Sequence, residues 1–310
     1  MNMSKTPPRA PSSATRTLPR IEPVARHTKF ARPTSVILSE RAPFILSKGA
    51  CTWKSLSEAG LPSLLNRFGD TKIEARVNLP DSSVPYDSDD AKFNVTITLA
   101  ELGRRIASGE RCYGPQINIQ TFSGFQPAAD LGEFLPQGFR LINLWIGSRT
   151  KSGLHYDAMD NLFIQVDGAK RVILAAPAHG RALYPYPDTP TKSRIDPENP
   201  DVSSFPRLTK VTFLTATLEA GDILFIPRGW WHFLSAPGPS VSLNCWFGKP
   251  MTPFEQIQAV TTSAPLSWIT IFRDAIRYGF IGRPYTRRLF STPPIGKTLY
   301  DLVLGRVRSQ

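Results

Sequence analysis

The stretch Gly153–Arg171, GLHYDAMDNLFIQVDGAKR, restricts what this chain can become more than any other, because it sets His155 and Asp157 two residues apart on what reads as a strand. Side chains at i and i+2 of a strand project to one face, so an imidazole and a carboxylate can address one ion. A third donor, His232, follows in Gly229-Trp230-Trp231-His232. On its own, His-x-Asp on an exposed strand is ordinarily just a polar face. Here the chain holds four histidines, His27, His155, His179 and His232, and two of them sit where a metal site needs them. Gly221-Asp222 followed by Ile223–Ile226 and Pro227 reads as a turn, a buried strand and a stop, so His232 comes just after a core strand. Two imidazoles and one carboxylate leave coordination positions open, the donor set of non-haem Fe(II) oxygenases. His179, in a Gly- and Pro-rich loop, is expected to play no part in it.

Leu162–Val166 and Ala169–Leu174 are apolar runs separated by Asp167-Gly168, a pair favoured in two-residue hairpin turns. The expectation is a hairpin with Lys170 early on its return strand. Lysine is seldom buried unless its charge is paired. If that face looks inward, an anion should sit opposite, and the distal carboxylate of 2-oxoglutarate is one such anion. If it looks outward, Lys170 or Arg171 simply reaches solvent. Both faces are apolar, and periodicity does not choose between them.

The ordered run His155-Tyr156-Asp157, Asn161, Gly168-Ala169-Lys170-Arg171, Leu183–Pro187, Gly221-Asp222, Phe225-Ile226-Pro227 and Trp231-His232 resembles the JmjC/cupin-8 class of Fe(II)- and 2-oxoglutarate-dependent hydroxylases, both its protein-asparaginyl and its tRNA-base members. The resemblance covers roughly residues 19–250. It implies a double-stranded β-helix of the jelly-roll or cupin kind, mainly β with flanking helices, with His155, Asp157 and His232 as iron ligands and O2 and 2-oxoglutarate as co-substrates. Lys170 then anchors 2-oxoglutarate, Tyr113 and Ser152 assist it, and Asn161 and Asn244 line the pocket.

A chain of 310 residues with 41% hydrophobic content suffices for one large domain. Three cysteines without a CxxC pair make a disulfide framework unlikely, and no apolar run approaches the ~18 residues of a membrane span. The N-terminus has no secretory h-region. A reducing, cytoplasmic location is the expectation. The net charge of +12 is unevenly placed: residues 1–34 hold seven Lys/Arg and one acid, residues 251–310 eight and three, and the middle twenty-two and twenty-one. Basic flanks can contact a polyanion such as nucleic acid, an acidic partner or a membrane surface, or stay solvated. The near-neutral middle favours a neutral substrate.

Residues 1–18, rich in Pro, Ser, Thr and Arg, are expected to form a disordered basic tail, an organellar transit segment being the minor reading. The oxygenase-like domain is expected over 19–250, with strands at 44–46, 94–98, 116–122, 139–146 and 241–247 and helical stretches at 53–68 and 99–106. The Pro-rich segment 175–212 reads as a long loop in which Tyr184 and Tyr186 either line a substrate groove or pack the loop down. Residues 251–310 read as a helical extension. There Ile269, Phe272, Ile276 and Phe280 form an apolar stripe that either packs on its own barrel or pairs with a second copy in a homodimer. The leading functional expectation is hydroxylation of a protein or peptide side chain. The alternatives are hydroxylation of an RNA base or small metabolite, and a non-oxygenase cupin-type metal-binding protein or isomerase.

Overall fold

The computed structural model describes residues 18–28, 41–80, 90–125, 131, 135, 140–285 and 294–306. The expected tail lies outside them apart from Leu18, as does Phe139. In chain order the strands are β1 (Arg20–Pro23), β2 (Ala25–His27), β3 (Phe44–Leu46), β4 (Lys72–Arg76), β5 (Asn94–Thr98), β6 (Cys112–Asn118), β7 (Arg140–Lys151), β8 (Asp160–Ala175), β9 (Pro185–Tyr186), β10 (Thr189–Ser193), β11 (Thr212–Glu219), β12 (Ile223–Ile226) and β13 (Trp231–Phe247). Eleven of them join one sheet, and β9 and β10 form a separate two-stranded ribbon.

The architecture follows from two long strands. β8 and β13 run antiparallel along their whole lengths, with Trp231 opposite Ala175 and Phe247 opposite Asp160. The outer edge of β8 is shared: β12 covers Asn161–Ile164, and β11 covers Ala169–Ala175. The outer edge of β13 belongs to β7. One continuous strand thus serves two halves of a curled sheet, which is how a jelly-roll core closes. Leu144, Ile164, Phe225, Leu243 and Phe247 fill it.

The Asp167-Gly168 hairpin is not there. β8 passes through both residues without reversing, and Gly168 takes φ +69° beside Ser240. A Cβ on Gly168 would lie 2.1 Å from the Pro239 carbonyl oxygen. Opposite, β13 spends four residues, 236–239, where β8 spends two. Glycine's left-handed backbone therefore serves a pair of bulges that bend both strands; a turn and a bulge ask for the same residue. Beyond the bend Lys170 is buried and Arg171 exposed, so the inward face is Lys170's.

Other boundaries differ in smaller ways. β6 begins at Cys112 and stops at Asn118, before a short 3-10 turn over Ile119–Thr121. β7 runs on to Lys151 through the segment expected to be a turn. His155 and Asp157 lie in the extended connection between β7 and β8, where only His155 makes isolated bridges, to Lys192 and His232. The helical stretch at 53–68 is broken into Lys54–Glu58 and Leu61–Phe68, and Leu99–Ala107 is capped by the Thr98 hydroxyl, which accepts from Glu101 N at 3.2 Å.

The segment after β8 is less of a loop than its prolines suggest. Besides β9 and β10 it holds 3-10 turns at Pro177–Leu183 and Pro206–Lys210. Leu183, Ile195 and Leu208 join Tyr156, Trp231 and Phe233 in a buried cluster under the His155 segment. Tyr184 is part of that packing: its ring meets Phe205 at 5.0 Å, the Arg207 guanidinium lies 4.3 Å over it, and its hydroxyl accepts from Arg207 N at 3.0 Å.

At the C-terminal side, helices Pro253–Ser263 and Ser267–Asp274 lead into a π-helical turn, Ala275–Phe280, and a helix at Ile295–Val303 packs on it. Ser267, Ile271 and Asp274 face inward, whereas Ile269, Phe272, Ile276 and Phe280 are 57–78% exposed. The stripe therefore does not pack on its own barrel. Among the described residues no helix is long and apolar enough to cross a membrane.

Candidate metal centre

The connection between β7 and β8 is stitched to the start of β13. Ser152 N donates to Leu234 O at 2.8 Å, and the Ser152 hydroxyl accepts from Leu234 N at 2.9 Å. Next along, His155 and His232 exchange backbone hydrogen bonds of 3.1 and 2.7 Å, and Gly229 N donates to Asp157 O at 2.9 Å. Three side chains distant in sequence thereby converge. His155 Nε2 is 4.0 Å from Asp157 Oδ1, His232 Nε2 is 3.6 Å from Asp157 Oδ2, and all the potential ligand atoms lie within 4.8 Å of one another.

The orientation of each donor is fixed by an outer partner. His155 Nδ1 lies 2.8 Å from Gly153 O and His232 Nδ1 lies 3.0 Å from Trp230 O. A carbonyl only accepts, so each Nδ1 carries a proton, and Nε2 is the ring nitrogen left turned toward Asp157. Trp246 Nε1 donates to Asp157 Oδ2 at 2.9 Å. Burial, and then the neighbouring His155, push His232 down to about 4, which keeps it neutral at physiological pH. Two imidazoles, one carboxylate and a face open to a cavity fit a divalent metal with room for further ligands. His179 stands apart: its Nε2 accepts from Thr212 N at 3.4 Å and braces the Pro177–Leu183 turn against β11.

A cavity of about 90 Å³ adjoins the three donors. A water needs ~10–15 Å³ of such space, so it suits a small organic acid. Lys170, Tyr113, Ser152, Asn161 and Asn244 all line it. Lys170 is 5% exposed, its Nζ is 5.2 Å from the centre of the Phe163 ring, and among the described residues no carboxylate pairs with it. Burial alone lowers it to about 7. The Tyr113 ring lies 5.8 Å from that of Trp145. Asn244 Oδ1 accepts from Trp145 Nε1 at 2.6 Å and from Asn143 Nδ2 at 3.3 Å, while its Nδ2 donates to Asn161 Oδ1 at 3.3 Å.

Trp145, Thr150, Phe163 and Trp246 also line the cavity and had no assigned role from sequence. Trp246 was recognisable as sharing a face with Asn244, and its contact with Asp157 is what that alternation achieves. Trp145 carried no such signal, and only the structure sets it in register opposite Ser242 on the neighbouring strand. Tyr184 and Tyr186 do not line this cavity.

The family model for a cupin-like domain matches residues 31–252. The chain belongs to the cupin-like domain family. Among its relatives are Jumonji C domain-containing protein 5 of Drosophila melanogaster, 40% identical over 109 residues (34% of this chain, 27% of the relative), and lysine-specific demethylase 8 of Xenopus tropicalis, 35% identical over 109 residues (34% and 25%). Human HSPB1-associated protein 1 is 39% identical over 110 residues (33% and 22%). The matched stretch is about a quarter of the length of these curated relatives.

Proposed function

We propose that this cupin-like protein is an Fe(II)- and 2-oxoglutarate-dependent oxygenase that hydroxylates an unactivated C–H bond on a protein or peptide side chain. The observation that carries the reading is Lys170: a buried ammonium without a carboxylate partner among the described residues lines the same small cavity as His155, Asp157 and His232. Such a group is costly unless an anion joins it. A dicarboxylate whose other end reaches the metal satisfies both sites.

In this reading His155, Asp157 and His232 hold Fe(II), which with 2-oxoglutarate and O2 supplies the oxidising power. Lys170 receives the distal carboxylate. The Ser152 hydroxyl already accepts from Leu234 N, which leaves its proton to donate into the cavity, and Tyr113 offers a second hydroxyl nearby. Asn161 and Asn244, locked by Trp145 and Asn143, give that wall a fixed polar edge. Trp246 holds the carboxylate of Asp157 in place, and the aromatic lining limits water. The chain's contribution is positioning and exclusion of solvent.

A protein substrate is favoured because three of the relatives that match this chain are named lysine-specific demethylases, and oxidation of an N-methyl C–H on a side chain is the same chemistry. The test is succinate formation from 2-oxoglutarate, dependent on Fe(II) and O2, followed by a search of peptides, RNA and metabolites for a gain of one oxygen. No turnover of 2-oxoglutarate under any of them would return the protein to the metal-binding or isomerase class. An oxygen gained on RNA or a metabolite would keep the chemistry and move the substrate. The three cysteines, none of them in a disulfide and two of them buried, accord with the cytoplasmic location proposed here. A homodimer through the Phe272/Phe280 stripe belongs to the same proposal. Sedimentation of the intact protein beside a Phe272→Glu/Phe280→Glu variant tests it, since a monomer in both cases removes the dimer.

A further inference from the structure

The middle of the chain is balanced in net charge, but its charges are not evenly spread. Beside the bend in β8 lies a basin of about 540 Å³, lined by Arg111, Arg149, Lys151, Lys170 and Arg171 and, among the described residues, by one acid, Glu198. Glu198 braces two of the cations, standing 2.6 Å from Lys151 Nζ and 3.9 Å from Arg171 Nη1, and accepts from the Ser235 hydroxyl at 2.7 Å. Burial raises its carboxyl, but the bonds from Lys151 and Ser235 and the charges of Lys151 and Arg171 outweigh that and leave it below its ordinary value. Glu198 is thus ionised at neutral pH. Among the described lining residues Arg149, Lys151 and Arg171 outnumber Glu198 before Lys170 is counted.

The backbone is built around one of these cations. Arg149 has φ +55°, a left-handed conformation that a residue with a Cβ adopts at a cost and that clusters at functional sites. At that same rung β13 bulges: Pro237 and Gly238 stand opposite Arg149 between the paired rows Ala236–Thr150 and Pro239–Ser148. Bulges re-aim side chains. Arg111 Nη1 donates to Arg149 O at 3.2 Å, and Arg149 Nη1 reaches Gly109 O at 3.5 Å, so the distortion is cross-braced. Thr150 and Lys170 line both this basin and the small cavity at the metal centre.

We propose that this basin is a second anion site, separate from the metal centre, that takes a small multiply charged anion, either a phosphate compound or a di- or tricarboxylate. Its cations converge on a concave space of the size small ligands occupy, and planar guanidinium groups match carboxylate and phosphate oxygens in pairs. The binding needs neither iron nor 2-oxoglutarate turnover, so it stands or falls independently of the oxygenase reading.

Calorimetry on the full chain without metal, with pyrophosphate in one arm and citrate in the other, tests this directly. The expected result is saturable binding of one anion per chain, with the tighter of the two identifying the class. Arg149→Gly, which keeps the left-handed backbone, and Arg171→Ala should each weaken it at least tenfold. His155→Ala should leave it unchanged while abolishing 2-oxoglutarate turnover. Absence of saturable binding for both anions, or binding that survives both arginine variants, overturns the site. Equal loss in His155→Ala shows that the anion went to the metal centre. A short oligonucleotide that binds more tightly than either anion, and is lost in the same variants, assigns the basin to nucleic acid and overturns the small-anion proposal.

Discussion

Replacing Lys170 by Met should make the protein more stable while removing its capacity to bind 2-oxoglutarate. Lys170 is 5% exposed and burial lowers it from 10.5 to about 7. Between those two values the unfolded chain holds the proton more tightly than the folded one, so the folded state loses stability as pH falls from 10.5 towards 7, and the loss is complete below 7. Integrating that proton difference gives a cost of about 4 kcal/mol at pH 7 and about 2 kcal/mol at pH 9. Methionine is of similar length, adapts to irregular space and carries no charge. At roughly 2 °C per kcal/mol for a domain of this size, the metal-free Lys170→Met protein should melt several degrees above wild type at pH 7. The difference should shrink by about half at pH 9. Thermal unfolding of both proteins at pH 6, 7, 8 and 9 provides the assay. A Lys170→Met protein that melts lower than wild type, or a difference independent of pH, would refute the claim that Lys170 is a buried charge waiting for an anion.

Three further outcomes follow from the same geometry. Binding of 2-oxoglutarate at pH 8 should take up close to one proton, since the distal carboxylate restores the ammonium, and affinity should fall by up to tenfold per pH unit above about 7; calorimetry in two buffers of different ionisation enthalpy counts the proton, and zero uptake contradicts it. Trp246→Phe removes the 2.9 Å bond to Asp157 and should lower Fe(II) affinity ~10–100-fold with little change in metal-free melting, whereas unchanged affinity would show that Asp157 holds its position without help. Gly168→Ala must meet the Pro239 carbonyl at 2.1 Å with φ +69° and should cost at least about 2 kcal/mol in denaturant unfolding; a neutral result would mean the double bulge relaxes freely.

The parts legible in sequence were those whose chemistry is scarce. Two of four histidines beside a carboxylate, and a lysine in an apolar run, stand out because such groups are rarely placed there without a partner, and the structure brings all of them to one cavity. Residues whose meaning depends on long-range register did not stand out. Asp167-Gly168 reads equally as a turn or a bulge, and only the pairing of β8 with β13 and β11 decides it. Trp145 looks like an ordinary core aromatic, and Trp246 shows only that it shares a face with Asn244, until the fold places their indole N–H groups against Asn244 and Asp157. The basic basin was hidden by counting: twenty-two cations against twenty-one acids says nothing about five of those cations gathering around one carboxylate. The C-terminal stripe was visible in its spacing, but spacing carries no information on whether it turns inward.

The most direct test of the account is the amount of Fe(II) bound per chain under anaerobic conditions, measured for wild type, His155→Ala, His232→Ala and His179→Ala. One Fe(II) per chain is expected in wild type and His179→Ala, with affinity lost by orders of magnitude in the other two, because only His155 and His232 share a donor cluster with Asp157. Full binding in His155→Ala or His232→Ala, or its loss in His179→Ala, would place the metal elsewhere and contradict the centre described above.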